Sequence, residues 1–356
     1  MKLIFIANSP PDSHKASGYQ TFCQSQSLGE ILDLKLYLPN KFYKNKKNYR
    51  STIIKTLEIF KNLSFETNLI NFINITDKLW INENLRFTIS NFSFAFFSVI
   101  RASQENCDVI YTRDFYTLFI LSIGKYLKLI KKRVAFESHQ YSLLRFFLVR
   151  NIDYLITINK IQKELYKHKN CIALHDCVWE ENIIKETSKK TIKKTILYAG
   201  SCIEGKGINR LICLADKLPE YTFYIANNQG LTNKKISNRL KRDNIDWVGR
   251  LSKKELNHLI DKVEFCILPN ETSNKSNFYT SPMKLFEYMS RGKALILSPI
   301  PTVIEIFPNY SYINLGKSNK DIEIASKSIK EVDSYNLGKY SLKFIKNFTW
   351  RKRAKS

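Results

Sequence analysis

The chain has 356 residues, more than one hydrophobic core organises, because cores stop growing near roughly 250 residues and longer chains divide. With 44% hydrophobic and 25% charged residues it has the composition of a folded globular protein, which excludes a wholly disordered, collagenous or coiled-coil chain. Lys and Arg number 57 against 32 Asp and Glu, a formal net charge of +25, so polyanions are the expected partners: nucleic acid, an anionic membrane surface or a phosphorylated substrate.

Met1-Lys2 leads into the apolar run Leu3–Ala7 and then Asn8-Ser9-Pro10-Pro11. That run is shorter than the about 7–15 residues of a secretory signal core and reads as a buried first strand. The loop Asn8–Gly18, followed by Tyr19, is long and polar and ends on a glycine where a helix begins, which permits close backbone approach to a ligand; the plainer reading is an ordinary strand-to-helix loop. Lys41–Arg50, with five basic residues and no acid, reads as an exposed loop. The apolar stretches around Phe92–Ile100 and Phe115–Ile123 fall short of the ~20 residues of a spanning helix. The chain is therefore expected in the cytoplasm, in reach of a membrane surface.

Further strands are predicted at Val109–Thr112, Val134–Glu137, Tyr154–Ile158 and Ile172–Leu174, then at Ile196–Ala199, Thr222–Ala226, Ile245–Val248, Phe265–Leu268 and Ala294–Leu297. Helices such as Ser252–Lys262 and Pro282–Ser290 separate them. Alternation of strands with helices argues for parallel α/β sheets, and continuous apolar strands agree with burial on both faces. Lys125–Arg133, read as helical, and Tyr141–Arg150 mix basic and apolar residues. Such a pattern is either a solvated face over a buried one or a face that lies on an anionic bilayer. Glu180–Lys194 is polar, charged and without a strand pattern, and is the predicted linker. The expected domains are 1–180, joined by the terminal segment 345–356, and 181–344. The seven cysteines are odd in number, irregularly spaced and without Cys-x-x-Cys, which reads as reduced thiols and neither a disulfide framework nor a zinc site.

Open parallel sheets bind ligands beyond the carboxyl ends of their strands, so two such units are expected to hold a ligand in the cleft between them. In Thr280–Gly292, Ser281 suits an N-cap, Pro282 the first helical position and Gly292 the helix end. A helix N-terminus with Lys284 beside it suits a phosphate. Glu287, one turn on and on the same face, can accept from ribose hydroxyls. The alternative is a capped surface helix with one Lys284–Glu287 ion pair. In Tyr198–Gly207, Gly200, Gly205 and Gly207 follow a strand and precede a helix near Ile208, so that backbone N–H groups and Lys206 can meet an anion. The loop is neither a Walker nor a GxGxxG motif, and a plain turn is its alternative. His139, in Phe136–Gln140, can bond a sugar or shift a proton, or serve as a hydrogen-bonded structural histidine. No Gly-x-Ser-x-Gly, Cys/His pairing, Asp-x-Asp or histidine cluster points to a nucleophilic triad or a metal.

In their order these segments resemble family-4 (group 1) retaining glycosyltransferases with the GT-B fold. The resemblance is strongest from Ile196 to Ser298. It rests on Tyr198-Ala199-Gly200…Lys206-Gly207, Trp247–Leu251, Cys266-Ile267-Leu268-Pro269 and Ser281-Pro282-Met283-Lys284-Leu285-Phe286-Glu287-Tyr288-Met289-x-x-Gly292-Lys293. Asp108–Arg113, Phe136–His139, Gly18 and Phe348-Thr349-Trp350 resemble it more loosely. The resemblance implies two Rossmann-like parallel-sheet domains. It implies a retaining, metal-independent hexosyltransferase-like enzyme of bacterial surface polysaccharide or lipopolysaccharide synthesis, acting on a saccharide or lipid-linked acceptor at the cytoplasmic membrane, with no cofactor beyond a UDP- or GDP-linked donor. Lys206 would contact the donor diphosphate and Glu287 the ribose, as the second glutamate of a Glu-x7-Glu motif. His139 would touch the donor sugar, Gly18 lie beside the diphosphate and Arg250 near the base. Gly200, Ser201, Ser281, Met283 and Lys284 would complete the donor site. Two departures from the family pattern stand out: Tyr279 replaces the first glutamate of the motif, and Ser201 replaces an arginine, for which Lys284 can supply the charge. The rivals are a phosphorylase or nucleotide-sugar epimerase on the same fold, and a basic non-enzymatic adaptor for membrane or nucleic acid. Nucleic acid is disfavoured, since no helix-turn-helix, RNA-recognition or zinc pattern is present.

Overall fold

The computed structural model describes residues 1–9, 16–39, 64–70, 82–188, 190–226 and 240–356. The Lys41–Arg50 loop and most of the Asn8–Gly18 loop lie outside the described residues. The chain divides into two units, Met1–Ile158 with Gln162–Leu174 and Trp350–Ser356, and Asn159–Ile161 with His175–Thr349.

In the first unit the strands are β1 (Lys2–Ile6), β2 (Asp33–Pro39), β3 (Glu66–Ile70), β4 (Val109–Thr112), β5 (Arg133–Ser138), β6 (Tyr154–Thr157) and β7 (Cys171–Ala173). They form one sheet in the order β3-β2-β1-β4-β5-β6-β7, and every pairing is parallel. The helices between them are α1 (Ala16–Gly29), α2 (Glu83–Gln104), α3 (Phe115–Tyr126), α4 (Leu143–Leu148) and α5 (Lys160–Tyr166). Apolar residues fill both faces of the sheet, with Ile4, Ile110, Val134 and Phe136 on one side and Phe5, Leu36, Val109 and Tyr111 on the other. Strand order reverses between β1 and β4, so the loops after these two strands stand at the switch point where such sheets take ligands.

The second unit holds β8 (Ile192–Ala199), α6 (Ile208–Lys217), β9 (Thr222–Ala226), β10 (Ile245–Gly249), α7 (Lys253–Lys262), β11 (Val263–Leu268), α8 (Lys275–Phe278), α9 (Met283–Ser290), β12 (Ala294–Leu297), α10 (Pro301–Ile306), β13 (Ile313–Asn314), α11 (Asn319–Glu331) and α12 (Ser334–Ile345). Its sheet runs β10-β9-β8-β11-β12-β13, again all parallel, with the switch between β8 and β11. The final helix, α13 (Trp350–Lys355), belongs to the first unit. All seven cysteines are free thiols and six are buried.

Several expectations are corrected. Glu180–Lys194 does not join the units but lies inside the second, whose long stretch runs from His175 to Thr349, with Asn159–Ile161 added, where 181–344 was expected. Ile183 and Ile184 pack on its core, and Ile184 N donates to Ser290 O at 3.0 Å. β8 begins within this segment, at Ile192, with three exposed residues that mask it as a loop. Lys125–Arg133 is not a helix: α3 ends at Tyr126, Lys128 has φ +59°, and the chain turns into β5. The turn is set by Gly124, where a Cβ would stand 2.5 Å from Ile130 Cδ1, so the glycine makes room for Ile130 to bury.

Candidate active site

In the second unit, the loops after β8 and β11 lie side by side at the switch point. Gly205 and Gly207 have φ of +81° and +76°, a region open to glycine at little cost. A Cβ on Gly207 would stand 1.7 Å from Pro269 O, so only glycine permits this approach. Asn277, buried, donates through Nδ2 to Gly205 O at 2.8 Å and to Glu271 O at 2.7 Å, and Glu271 N donates to Gly205 O at 3.1 Å. Asn270 Nδ2 holds Asn277 Oδ1 at 3.0 Å. These asparagines, absent from the sequence reading, fix the glycine loop; the only sequence signal for them is the polar run Asn270–Asn277 directly after an apolar strand.

Lys206 sits between the two glycines, and burial lowers its pKa. An anion would relieve that cost, which is the behaviour expected of a phosphate-binding lysine. Gly200 N donates to Ala226 O at 3.0 Å, and Ser201 O accepts from Tyr198 OH at 2.8 Å. Tyr288, buried on α9, accepts from Ala199 N at 2.8 Å and so pins the helix to the end of β8.

At the start of α9 the N-cap is Pro282, not Ser281, and no side chain caps the helix. Ser281 Oγ is turned away and accepts from Asp176 N at 2.9 Å. The helix therefore presents its positive dipole end beside Met283 and Lys284. Lys284 Nζ meets Glu287 Oε2 at 2.5 Å, with both side chains about a third exposed at 30% and 27%. The ion pair weighed as an alternative is thus present. Tyr279, in place of the first glutamate, is the C-cap of α8. Arg250 is exposed just past β10 at the sheet edge, two strands from β8.

In the first unit, His139 follows β5. Its Nε2 lies 2.7 Å from Glu137 Oε1 and 2.7 Å from Arg113 Nη2. Glu137 Oε2 accepts from Tyr111 OH at 2.6 Å, Gln24 Nε2 at 2.9 Å and Arg353 Nη2 at 2.9 Å. Burial pushes the Glu137 carboxyl up, but the Arg353 and Arg113 guanidiniums outweigh it and hold the group well below its usual range. Burial, with Glu137 adding to it, raises Tyr111 well above its ordinary value. Gly18 is buried in the first turn of α1. His139, Gly18 and Arg113 gather at the carboxyl edge of the first sheet; Lys206, Gly200, Ser201, Met283, Lys284 and Glu287 gather at that of the second.

Residues 180–348, which lie within the second unit, match the family model Glycosyl transferases group 1. No curated protein matches the chain by sequence. Among solved structures, the sucrose-phosphate synthase from Thermosynechococcus elongatus superposes with a TM-score of 0.73 at 13% identity, over 99% of this chain and 96% of that one. Anabaena Alr3699/HepE in complex with UDP and glucose gives 0.69 at 11% identity, over 100% and 97%. The lipopolysaccharide outer core galactosyltransferase WaaB gives 0.69 at 14% identity, over 100% and 97%. The two parallel-sheet α/β domains have the GT-B fold.

Proposed function

We propose that the protein transfers a sugar, with retention and without a metal, from a nucleoside-diphosphate donor to a saccharide or lipid-linked acceptor in the building of bacterial surface glycans. The observation that carries this is the glycine loop with half-buried Lys206, held at the β8/β11 switch point beside the uncapped start of α9. Departure of the diphosphate builds negative charge, and fixed cations and N–H dipoles aimed there lower the barrier. Lys206 and the α9 dipole supply them, and Lys284 joins by exchanging Glu287 for a phosphate oxygen. Glu287, so released, receives the ribose hydroxyls. The departing phosphate takes the acceptor's proton. Since HepE was crystallised with UDP and glucose, UDP-glucose is the first donor to assay. Lys206→Ala and Glu287→Ala should each abolish most release of UDP or GDP from a cognate donor; full activity in both overturns the proposal.

The acceptor's setting is read from exposed apolar residues of the first unit. Phe87 and Phe96 on α2, Tyr126, Leu127 and Leu129 at the end of α3, and Leu143, Leu144 and Phe147 on α4 are all more than half exposed, from 51% to 74% for all of them. Arg145 and Arg150 lie against neighbouring rings, over Phe115 at 4.9 Å and Phe146 at 4.3 Å. Among the described residues no helix is long and apolar enough to cross a membrane. Apolar side chains set among lysines and arginines suit the interface of an anionic bilayer. Sedimentation with phosphatidylglycerol vesicles, lost on Leu143→Ser/Phe147→Ser and absent with neutral vesicles, is the expected result; equal sedimentation with both vesicle types refutes it.

A further inference from the structure

Arg113 follows β4 directly, at the point where the first sheet reverses strand order. Two guanidiniums, Arg113 and Arg353, converge on the Glu137 carboxylate, with Arg113 Nε at 3.4 Å and Arg353 Nη2 at 2.9 Å. Both arginine side chains are largely buried, 12% and 5% exposed, and Glu137 is 2% exposed. A single carboxylate balances one of the two charges. The donors of Arg113 are unevenly used. Nε and Nη2 reach His139 Nε2 at 3.1 and 2.7 Å, and Nη2 also donates to Gln20 Oε1 at 2.8 Å. Nη1, with two N–H groups, is buried and has no partner. A buried charged donor left unmet is costly, and native structures keep few of them without a use. The neighbouring His139 side chain is 30% exposed, so the cluster opens to solvent on that side.

We propose that Arg113 is a substrate-binding residue whose Nη1 takes an anionic oxygen, of a phosphate or a carboxylate, brought beside His139. The guanidinium is pre-set for this. Glu137 and Gln20 fix its plane, and the second buried guanidinium leaves the cluster short of negative charge. The anion is either the donor diphosphate or a charged group on the acceptor, and only that choice rests on the glycosyl-transfer reading.

Calorimetric titration of the full chain with inorganic phosphate tests it, in a Lys206→Ala background that removes the site proposed in the second unit. Phosphate should still bind, and Arg113→Lys added to that background should weaken it about tenfold or more. Lysine keeps the charge opposite Glu137 and gives up the Nη1 fork, so a purely structural Arg113 would leave phosphate affinity unmoved. Should Arg113→Lys lower the thermal midpoint, Arg113→Met, which leaves Glu137 paired with Arg353, gives the same comparison. UDP affinity then assigns the source. A tenfold loss in Arg113→Lys alone points to the donor diphosphate, and an unchanged UDP affinity with weakened phosphate binding points to the acceptor. Phosphate binding within twofold in both chains, or none to the Lys206→Ala chain, overturns the proposal. Failure of the glycosyl-transfer reading shows separately, as UDP affinity indifferent to Lys206→Ala.

Discussion

Replacing Glu137 by Gln tests the buried network of the first unit. The carboxylate is 1% exposed as a residue and bonds Arg353, Tyr111 and Gln24 within 2.9 Å. Glutamine keeps the shape and removes the charge, stranding two buried guanidiniums. Losing one partner of a buried pair costs about 3–5 kcal/mol. In a unit of this size each kcal/mol lowers the midpoint by about 2–4 °C, so a fall of roughly 6–20 °C is expected. Scanning calorimetry of the full chain at pH 7 measures it. The carboxyl is held well below its ordinary 4.5, so its contribution is complete above pH 4.5 and is lost as pH falls through the lowered value. The difference between wild type and Glu137→Gln should therefore be full at pH 7 and shrink in acid. A midpoint within about 2 °C of wild type at pH 7 would refute the account of Glu137 as the charge that holds Arg113, Arg353 and the C-terminal helix.

The remaining predictions concern the second unit. Gly207→Ala adds a Cβ 1.7 Å from Pro269 O at φ +76°, so the loop must move; UDP affinity should drop by tenfold or more in equilibrium titration. Asn277→Ala leaves Gly205 O and Glu271 O without their shared donor and should cost about 1–3 kcal/mol in denaturant unfolding. Because burial lowers the pKa of Lys206, UDP binding should weaken as pH rises, beginning below the 10.5 of an ordinary lysine, and Lys206→Ala should flatten that dependence. A UDP affinity of wild type constant up to pH 10.5 would remove Lys206 from the diphosphate contact.

Central strands were legible because burial on both faces leaves an unbroken apolar run. β4, β9 and β12 have the bounds read from Val109–Thr112, Thr222–Ala226 and Ala294–Leu297. β2 escaped notice although it is paired on both sides, since Asp33 and Lys35 interrupt its apolar residues. The edge strands β3 and β13 escaped because Glu66-Thr67-Asn68 and a two-residue strand carry no hydrophobic signal. The glycine loop and the start of α9 were legible from local chemistry alone, glycine spacing in one and Pro282 with Gly292 in the other. Local chemistry also misled: a serine before a proline has the same signature whether its hydroxyl caps the helix or, as with Ser281, holds Asp176 N some 105 positions away.

The Arg113–Glu137–Arg353 cluster shows where such reading must stop. Glu137 and Arg353 are 216 positions apart, and no spacing rule couples them. They meet because α13 packs on the first unit, where Arg351 also pairs with Glu30 at 2.9 Å. His139 was singled out by its place after a strand, yet its chemistry is set by these distant partners. Its Nε2 is shared between a guanidinium that can only donate and a carboxylate that can only accept. Whichever partner it serves fixes which ring nitrogen carries the proton. A substrate anion drawing on Arg113 would therefore also shift how His139 is held.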